Sequence, residues 1–359
     1  MDASNSWCSL QELEPLSQLR DLTLYGLEKV QDSRMAEKAM ISSKRHLGYL
    51  ELNYSASRHT IATGGAEAEQ QQQQSVTEEV LEKLFPPTCL ENLTLRGGYV
   101  GRQLPNWMCA PASADFKSLR YLKLENLPCC TQLPDGLCCL PSLELLIIID
   151  APSIKRIGPQ FQASSSVAAR GSDASTSAPF SKLRRLNMVG LREWEQFEWN
   201  DCEEHRDVET TIAMPCLEKL QIDNCKLSCL PNRHVENFPS VVELDVFDCP
   251  ELKRISGLPM LQKNRIVHCT KLEVLEGVPA VDSLELEDPT METLPEYLRD
   301  MNIEDPRAVR CFKVSPHSTA LSEYMSPDTS ESKVLEGVPA LDSMELQDAT
   351  METIPGYLG

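Results

Sequence analysis

Cysteine is the residue type in this chain whose spacing first suggests chemistry. The 359-residue sequence contains 14 cysteines, and two adjacent pairs, Cys129 with Cys130 and Cys138 with Cys139, flank the segment LPDG. Four thiolates can bind zinc. Neither pair has the Cys-x-x-Cys spacing of a zinc site, however, and adjacent side chains in a strand point to opposite faces. The pairs therefore do not predict a metal site.

The six histidines form no recognisable catalytic pattern. None lies in a His-Glu-x-x-His motif, and none accompanies a serine or cysteine in a known nucleophile motif. The glycine-rich segment 97–101 lacks the lysine of a phosphate-binding loop. The sequence therefore predicts no enzyme and neither a cofactor nor a metal.

The composition limits the classes of partner. Lys plus Arg number 34 and Asp plus Glu number 54, which gives a formal net charge of −20. The overall field of such a polyanion disfavours nucleic acid as a partner. No apolar run reaches the roughly 18 residues of a membrane span, and the N-terminal residues lack the pattern of a secretory signal. We therefore expect no membrane contact, a cytoplasmic location and reduced thiols.

One apolar pattern recurs along the chain: an apolar residue, two variable residues, an apolar residue, one variable residue and a third apolar residue. Twelve copies begin at Leu19, Leu47, Leu90, Leu119, Leu143, Leu183, Leu217, Val241, Leu261, Val281, Leu298 and Leu341. In a short strand the apolar residues face one side and the variable residues the other. One such unit cannot bury its apolar side alone, whereas stacked units share a continuous core.

The repeat therefore predicts an α/β leucine-rich-repeat solenoid. We expect a curved horseshoe with a parallel β-sheet on its concave face and irregular loops and short helices on its convex face. Three cysteines, Cys225, Cys249 and Cys269, fall eight residues after the first apolar residue of their repeats. At that position we expect small buried groups that satisfy the turn.

The variable strand positions on the concave face are the candidate protein-binding site. Val189, Phe247 and Val267 are apolar where exposure is predicted, which is typical of interface cores. The candidate residues are Thr94, Arg96, Lys123, Glu125, Asn187, Val189, Gln221, Asp223, Asp245, Phe247, Arg265, Val267, Glu285 and Glu287.

The repeats also suggest a domain organisation. We expect a solenoid over residues 1–303, with polar insert loops near 55–75, 164–179 and 200–211. Residues 304–333 have weak periodicity and predict a weakly ordered linker. Residues 334–359 are a duplicated terminal repeat, because 19 of the 25 residues of 274–298 recur at 334–358. Short helices are predicted from Asp32 to Arg45 and after a capping box at Ser75.

Four longer blocks resemble a known family: residues 16–55, residues 80–108 with Tyr99, Gly101, Pro105 and Trp107, residues 140–158, and residues 191–199. Together they are similar to the leucine-rich-repeat region of plant intracellular nucleotide-binding leucine-rich-repeat (NB-LRR) disease-resistance proteins, particularly the coiled-coil class. The resemblance covers residues 10–300. Members of that family carry a nucleotide-binding module before the repeats, and this sequence has none, so we expect a truncated or fragmentary member.

The resemblance implies a non-enzymatic recognition module of plant defence. Its concave face would bind a pathogen effector, a guarded host protein or the nucleotide-binding module of an NB-LRR protein. Two alternatives stay open. One is a stand-alone leucine-rich-repeat adaptor, for example one that recruits substrates to a ubiquitin ligase, and the other is a non-functional truncated gene product.

Overall fold

A computed structural model describes residues 9–55, 67–110, 112–157, 179–197, 214–230, 238–278, 282–287, 309–313 and 345–348. The chain divides into two compact units, unit 1 over Met1–Leu217 and unit 2 over Glu218–Gly359.

Unit 1 is built on short parallel strands. They are β1 Asp21–Tyr25, β2 Tyr49–Asn53, β3 Asn92–Arg96, β4 Tyr121–Glu125, β5 Leu145–Ile149, β6 Arg156–Ile157, β7 Arg185–Val189 and β8 Gln196–Phe197. Strands β1, β2, β3, β4, β5 and β7 are neighbours in that order in one sheet, and β6 pairs with β8 in a separate ladder. Two α-helices, α1 Ser33–Lys38 and α2 Glu67–Lys83, connect the first three strands.

The other helical turns in the described part of unit 1 are 3₁₀ segments. They span Leu10–Leu13, Leu27–Lys29, Ile41–Ser43, Asn106–Met108, Ala112–Asp115 and Asp135–Cys139. Short connections of this kind return the chain to the start of the next strand, so each strand lies beside its predecessor.

Alternation along each strand builds the core of unit 1. The second and fourth residues of the five-residue strands are buried, and they stand in register from strand to strand, as in Leu93, Leu122 and Leu146. Full burial of such a side chain contributes roughly 1.5–3 kcal/mol. The leucines predicted to face inward therefore do so, and the sheet has one apolar side packed on the rest of the unit.

A left-handed residue follows most of these strands. Only Gly, Asn and Asp adopt this conformation readily, and Gly97, Asn126 and Asp150 have φ of 93°, 58° and 52°. At Gly97 an added Cβ would lie 1.8 Å from the carbonyl oxygen of Tyr54, so no larger residue fits. The amides of Asn126 and Asp150 donate to the last carbonyl of the next strand at 2.8 Å, which continues the ladder into the turn.

Unit 2 repeats this plan with shorter connections. Its strands are β9 Lys219–Asp223, β10 Cys229–Leu230, β11 Glu243–Phe247, β12 Arg254–Ser256, β13 Lys263–Val267, β14 Val274–Glu276, β15 Ser283–Glu287, β16 Val309–Lys313 and β17 Glu345–Asp348. Strands β9, β11, β13, β15, β16 and β17 are parallel neighbours, and β10, β12 and β14 form a second parallel ladder. Asn224, Asp248 and His268 take the left-handed position after their strands.

The predicted helices are corrected in their extent. Asp32 caps α1 as expected, its carboxylate accepting from the amide of Arg34 at 2.9 Å, but the helix ends at Lys38 because Met40 is left-handed. Helix α2 begins by Glu67, so Ser75 lies inside it and is not its cap.

The structure corrects the predictions for one insert loop and for the linker, and the other two insert loops lie wholly or almost wholly outside the described residues. The loop near 55–75 is helical from Glu67 onward. Five residues of the predicted linker 304–333, Val309–Lys313, form β16. The loop near 200–211 and the Leu298 repeat lie outside the described residues, as does nearly all of the loop near 164–179.

One core position of unit 2 holds a polar side chain. Asn264 is 3 % exposed and stands in register between Leu244 and Leu284, where the repeat calls for an apolar residue. Neither its amide nitrogen nor its amide oxygen has a hydrogen-bond partner within the described chain. A buried amide without a partner loses its hydration and gains nothing in return.

Asn264→Leu should therefore stabilise the protein by about 1–3 kcal/mol, the usual cost of an unsatisfied buried polar group. The midpoint of urea unfolding measures the change. Gln262→Leu is the matched control, because it places the same side chain at an exposed position and should change stability by less than about 0.5 kcal/mol. Equal midpoints for Asn264→Leu and the parent chain would contradict this account.

Candidate functional site

The side of the unit 1 sheet that faces away from the core is its open face. It is formed by the first, third and fifth residues of each five-residue strand. Parallel pairing sets these residues in rows, and the middle row runs Thr23, Glu51, Thr94, Lys123, Ile147, Asn187. Because neighbouring strands lie about 4.8 Å apart, adjacent residues in a row are within side-chain reach.

An apolar patch lies on this open face, formed by Leu145, Ile147, Ile149 and Val189. The first three residues are the outward positions of β5, and Val189 is the register partner of Ile149 on β7. All four are partly exposed. Alternate residues of a strand are about 6.7 Å apart, so the three side chains of β5 form a row about 13 Å long.

Paired charges border the apolar patch. On β4 the ammonium of Lys123 lies 2.7 Å from Oε2 of Glu125. Nearer the start of the sheet, Nε of Arg96 lies 3.2 Å from Oε1 of Glu51. The Tyr49 hydroxyl donates to Oε2 of the same Glu51 at 2.7 Å. These carboxylates are already paired, and on the other side of the patch the exposed Arg185 of β7, the register partner of Leu145, adds a positive charge.

The hydrogen bond to Glu51 fixes the protonation of Tyr49. It favours the neutral phenol, and together with burial and the negative charge of Glu51 it raises the pKa of Tyr49 from 10.0 to about 12. The two groups therefore act as one hydrogen-bonded unit over the whole neutral range.

The corresponding face of unit 2 is more strongly charged. The ammonium of Lys219 lies 2.6 Å from Glu243 and 2.9 Å from Asp245. Arg265 pairs with Glu285 at 3.1 Å, and its guanidinium lies 5.3 Å from the ring centre of Phe247. A cation over an aromatic ring is attracted to it, so the Arg265 guanidinium covers part of the apolar ring of Phe247.

The fourteen predicted site residues all lie on the expected strand positions, but two are not exposed there. Thr94 is 5 % exposed and Val267 is 8 % exposed. Thr94 stands between the longer side chains of Glu51 and Lys123, and Val267 between Phe247 and Glu287. The expectation that Val267 is an exposed apolar residue is therefore wrong, whereas Val189 and Phe247 are partly exposed.

The sequence also contained a signal that the pattern of three leucines overlooked. Residues 145–149 read LLIII, five aliphatic residues in succession. In an alternating strand such a run must place aliphatic side chains on both faces. Leu145, Ile147 and Ile149 therefore belong to the open face, although they lie outside the fourteen predicted site residues.

The three cysteines predicted to be buried at turns are buried. Cys225, Cys249 and Cys269 each follow the left-handed residue of their repeat, and each thiol donates to the carbonyl two residues earlier, at 3.2, 3.2 and 3.5 Å. The thiol contact with Cys225 and burial raise the pKa of Cys249, and the contact with Cys249 and burial raise that of Cys269. The thiols of Cys249 and Cys269 therefore stay protonated, and all three buried cysteines have a structural place in their turns.

Three further features of the described residues concern metal binding, small-molecule binding and membrane-spanning helices. Across the described ranges, no three His, Cys, Asp or Glu side chains are placed to hold a metal ion. A cavity of about 10 Å³ lies among Leu93, Trp107 and Leu122, far below the roughly 300 Å³ of a small-molecule site. No helix in the described part of the chain is both long and apolar enough to cross a bilayer.

One geometric expectation about the cysteine pairs is corrected. Cys138 and Cys139 lie not in a strand but in the 3₁₀ turn Asp135–Cys139, and their sulfur atoms are 3.8 Å apart. A tight turn can place adjacent side chains together, whereas a strand separates them.

Comparison with known families agrees with this architecture. Residues 10–151 match the family described as R13L1/DRL21 LRRs. These residues are a leucine-rich-repeat region. The match contains five of the unit 1 strands, β1 to β5, and therefore most of the apolar patch.

Two further comparisons complete the picture. A solved structure of the leucine-rich repeat domain of the type III effector XopL is similar at 14 % identity and a TM-score of 0.32, over 62 % of this chain and 68 % of that chain. No curated protein sequence matches the chain. The fold of the chain is a leucine-rich-repeat solenoid, built from α/β repeats with their strands in parallel.

The protonation of Tyr49 gives a testable pH dependence. A pKa raised to about 12 in the folded chain means that the hydrogen bond contributes stability fully below pH 10.0, and that this stability is lost as pH rises through about 12. Tyr49→Phe should lower stability below pH 10.0 and remove this part of the alkaline loss. Urea unfolding of both chains across this range measures it.

Tyr121→Phe is the control for that measurement. Tyr121 occupies the same row of the open face as Tyr49 but makes no side-chain hydrogen bond in the described structure. Because Tyr121 affects the pKa of Tyr49 through charge alone and less than the Glu51 hydrogen bond does, its substitution should change the alkaline profile much less than Tyr49→Phe does. If Tyr49→Phe and Tyr121→Phe flatten the profile equally, the hydrogen bond to Glu51 is not its cause.

Proposed function

We propose that this chain is a non-enzymatic protein-recognition module whose binding surface is the open face of unit 1, centred on the apolar patch. Leucine-rich-repeat domains generally bind protein partners. The observation that carries the proposal is the row Leu145, Ile147 and Ile149, three partly exposed aliphatic side chains that, with Val189, form a continuous patch on a sheet face of mainly polar and charged groups.

The physical basis is an apolar centre with a polar border. Completing the burial of such aliphatic side chains contributes up to roughly 1.5–3 kcal/mol each. The border formed by Lys123, Glu125, Glu51 and Arg96 is internally neutralised, so a partner need not supply compensating charge there. Binding energy concentrates in a few central residues surrounded by groups that exclude water, and this arrangement supplies both parts.

The biological setting that we propose is plant defence in the cytoplasm. The match of residues 10–151 to R13L1/DRL21 LRRs, a plant resistance-protein type of repeat, supports it, as does the resemblance of the longer sequence blocks to NB-LRR proteins. The partner is a pathogen effector, a guarded host protein or an NB-LRR nucleotide-binding module that presents apolar side chains to the patch.

Ile147→Arg should abolish partner binding, because it places a charge at the centre of the apolar patch. The tagged full chain is expressed in leaf tissue, and the proteins recovered with it are compared with those recovered by the parent chain. Recovery of the specific partners should fall at least about tenfold, as expected for a central interface residue.

Thr23→Arg is the matched control, because Thr23 lies in the same row of the open face, four strands or about 19 Å from Ile147. It should leave recovery unchanged. Circular dichroism checks that both variants fold. Identical partner sets for all three chains would exclude the patch as the binding surface.

A further inference from the structure

The 3₁₀ turn Asp135–Cys139 holds two thiols in direct contact. The sulfur of Cys138 is 3.8 Å from that of Cys139 and lies 3.2 Å from the carbonyl oxygen of Asp135. Cys138 is buried, whereas Cys139 is partly exposed to solvent. A small molecule can therefore reach Cys139 first, with Cys138 directly behind it.

The environment shifts the pKa values of the two thiols in opposite directions. The hydrogen bond between the two thiols favours the thiolate of Cys139 and lowers its pKa, against the opposing effects of burial and of the Asp135 carboxylate. The same hydrogen bond and burial raise the pKa of Cys138. A thiolate is the nucleophile in disulfide exchange, so the partly exposed Cys139, with its lowered pKa, is the attacking sulfur, and the buried Cys138 is the resolving sulfur.

We propose that Cys138 and Cys139 form a reversible modification site for low-molecular-weight disulfides such as glutathione disulfide. The geometry supplies an accessible attacking sulfur and an adjacent resolving sulfur in one turn.

The reaction proceeds by two exchanges. The Cys139 thiolate attacks one sulfur of the disulfide, a bond forms between Cys139 and that sulfur, and the first small thiolate leaves. Cys138 then loses its proton to the solvent and attacks the sulfur of Cys139, which expels the second small thiolate. The protein loses two electrons and two protons, and the disulfide is reduced to two thiols.

The product should be easily reversed. The Cα atoms of adjacent residues are about 3.8 Å apart across a trans peptide, below the roughly 4.4 Å lower limit of ordinary disulfides. A strained disulfide is more readily reduced and is typical of labile, regulatory sites. A pool of small thiols therefore returns the pair to its reduced form.

The second adjacent pair of cysteines lacks these features. Cys130 is fully buried, its thiol donates to the carbonyl of Gln132 at 3.2 Å, and burial raises its pKa to about 11. No thiol-to-thiol hydrogen bond joins Cys129 to Cys130 in the described chain. This pair has the same residue types without the contact, so it is an internal control.

Formation of the disulfide between Cys138 and Cys139 should also change the structure around the turn. The amide of Phe180 donates to the carbonyl oxygen of Cys138 at 3.0 Å, and an added Cβ at Gly136 would lie 2.3 Å from the carbonyl oxygen of Met108. The turn is thus packed closely on both sides. A bond between the two sulfurs changes the backbone at Cys138, so the Phe180 amide should exchange its hydrogen faster in the oxidised chain.

The experiment treats the folded full chain with glutathione disulfide, blocks the remaining thiols by alkylation and locates the products by mass spectrometry. Trypsin leaves both pairs in the peptide 124–155, so a second cut at Asp135 is needed to separate them. The expected product at 138–139 is lighter by two hydrogens and unalkylated. It should form at least about tenfold faster than any product at 129–130.

Three variants distinguish the roles of the sulfurs. Cys138→Ser should stop the reaction at a stable mixed disulfide on Cys139, and Cys139→Ser should suppress reaction at Cys138. The double variant Cys129→Ser with Cys130→Ser should react like the parent chain. Circular dichroism checks that each variant is folded.

Two results would overturn the proposal. One is equal oxidation of both pairs, which would mean that the contact in the turn has no effect. The other is a mixed disulfide on Cys139 that persists in the parent chain, which would mean that Cys138 does not resolve it. Either result leaves the binding role of the apolar patch untouched, because that role is measured by partner recovery.

Discussion

The structure depends on one constraint: a five-residue strand has two faces, and parallel pairing in register keeps those faces aligned along the sheet. Once Leu93, Leu122 and Leu146 are buried in successive strands, the residues between them are committed to the opposite side. A shift by one residue would expose the leucines and bury charged groups, so the register is strongly specified. The open face is thus a direct result of building the core.

This constraint explains which parts of the fold the sequence could predict. The periodic leucines locate the strands because burial depends only on alternation. The extent of the helices was less predictable, since α2 runs through a glutamine-rich stretch that composition alone assigns to a loop. Its stability comes from the packing of Thr77, Val80 and Leu81, all buried, and tertiary packing rather than propensity decides most helices.

The candidate site was predictable in position but not in exposure. Alternation places Thr94 and Val267 on the open face, yet whether such a residue is covered depends on the length of its neighbours across the sheet. Conversely, the apolar run of β5 indicates an exposed patch only when both faces of the strand are considered together.

The net charge of the chain does not describe the local charge on the sheet. The formal charge of −20 is a sum over the whole chain, whereas ion pairs such as Lys219 with Glu243 neutralise individual carboxylates on the sheet. For the binding proposed at the apolar patch, complementary apolar shape would therefore matter more than the net field.

Cysteine illustrates how environment, and not residue type, determines chemistry in this fold. In the turns after β9, β11 and β13 the thiols are buried and donate to nearby carbonyls. They occupy the repeat position that Leu127, Ala151 and Leu191 occupy in unit 1. In the turn before β5 the chain places two thiols side by side, and one of them is partly exposed. There Cys139 is proposed to act as a nucleophile, with Cys138 as the adjacent resolving thiol. The sequence cannot separate these cases by spacing, because spacing predicts contacts only when the local backbone is known. A strand would have separated Cys138 from Cys139, and the 3₁₀ turn joins them.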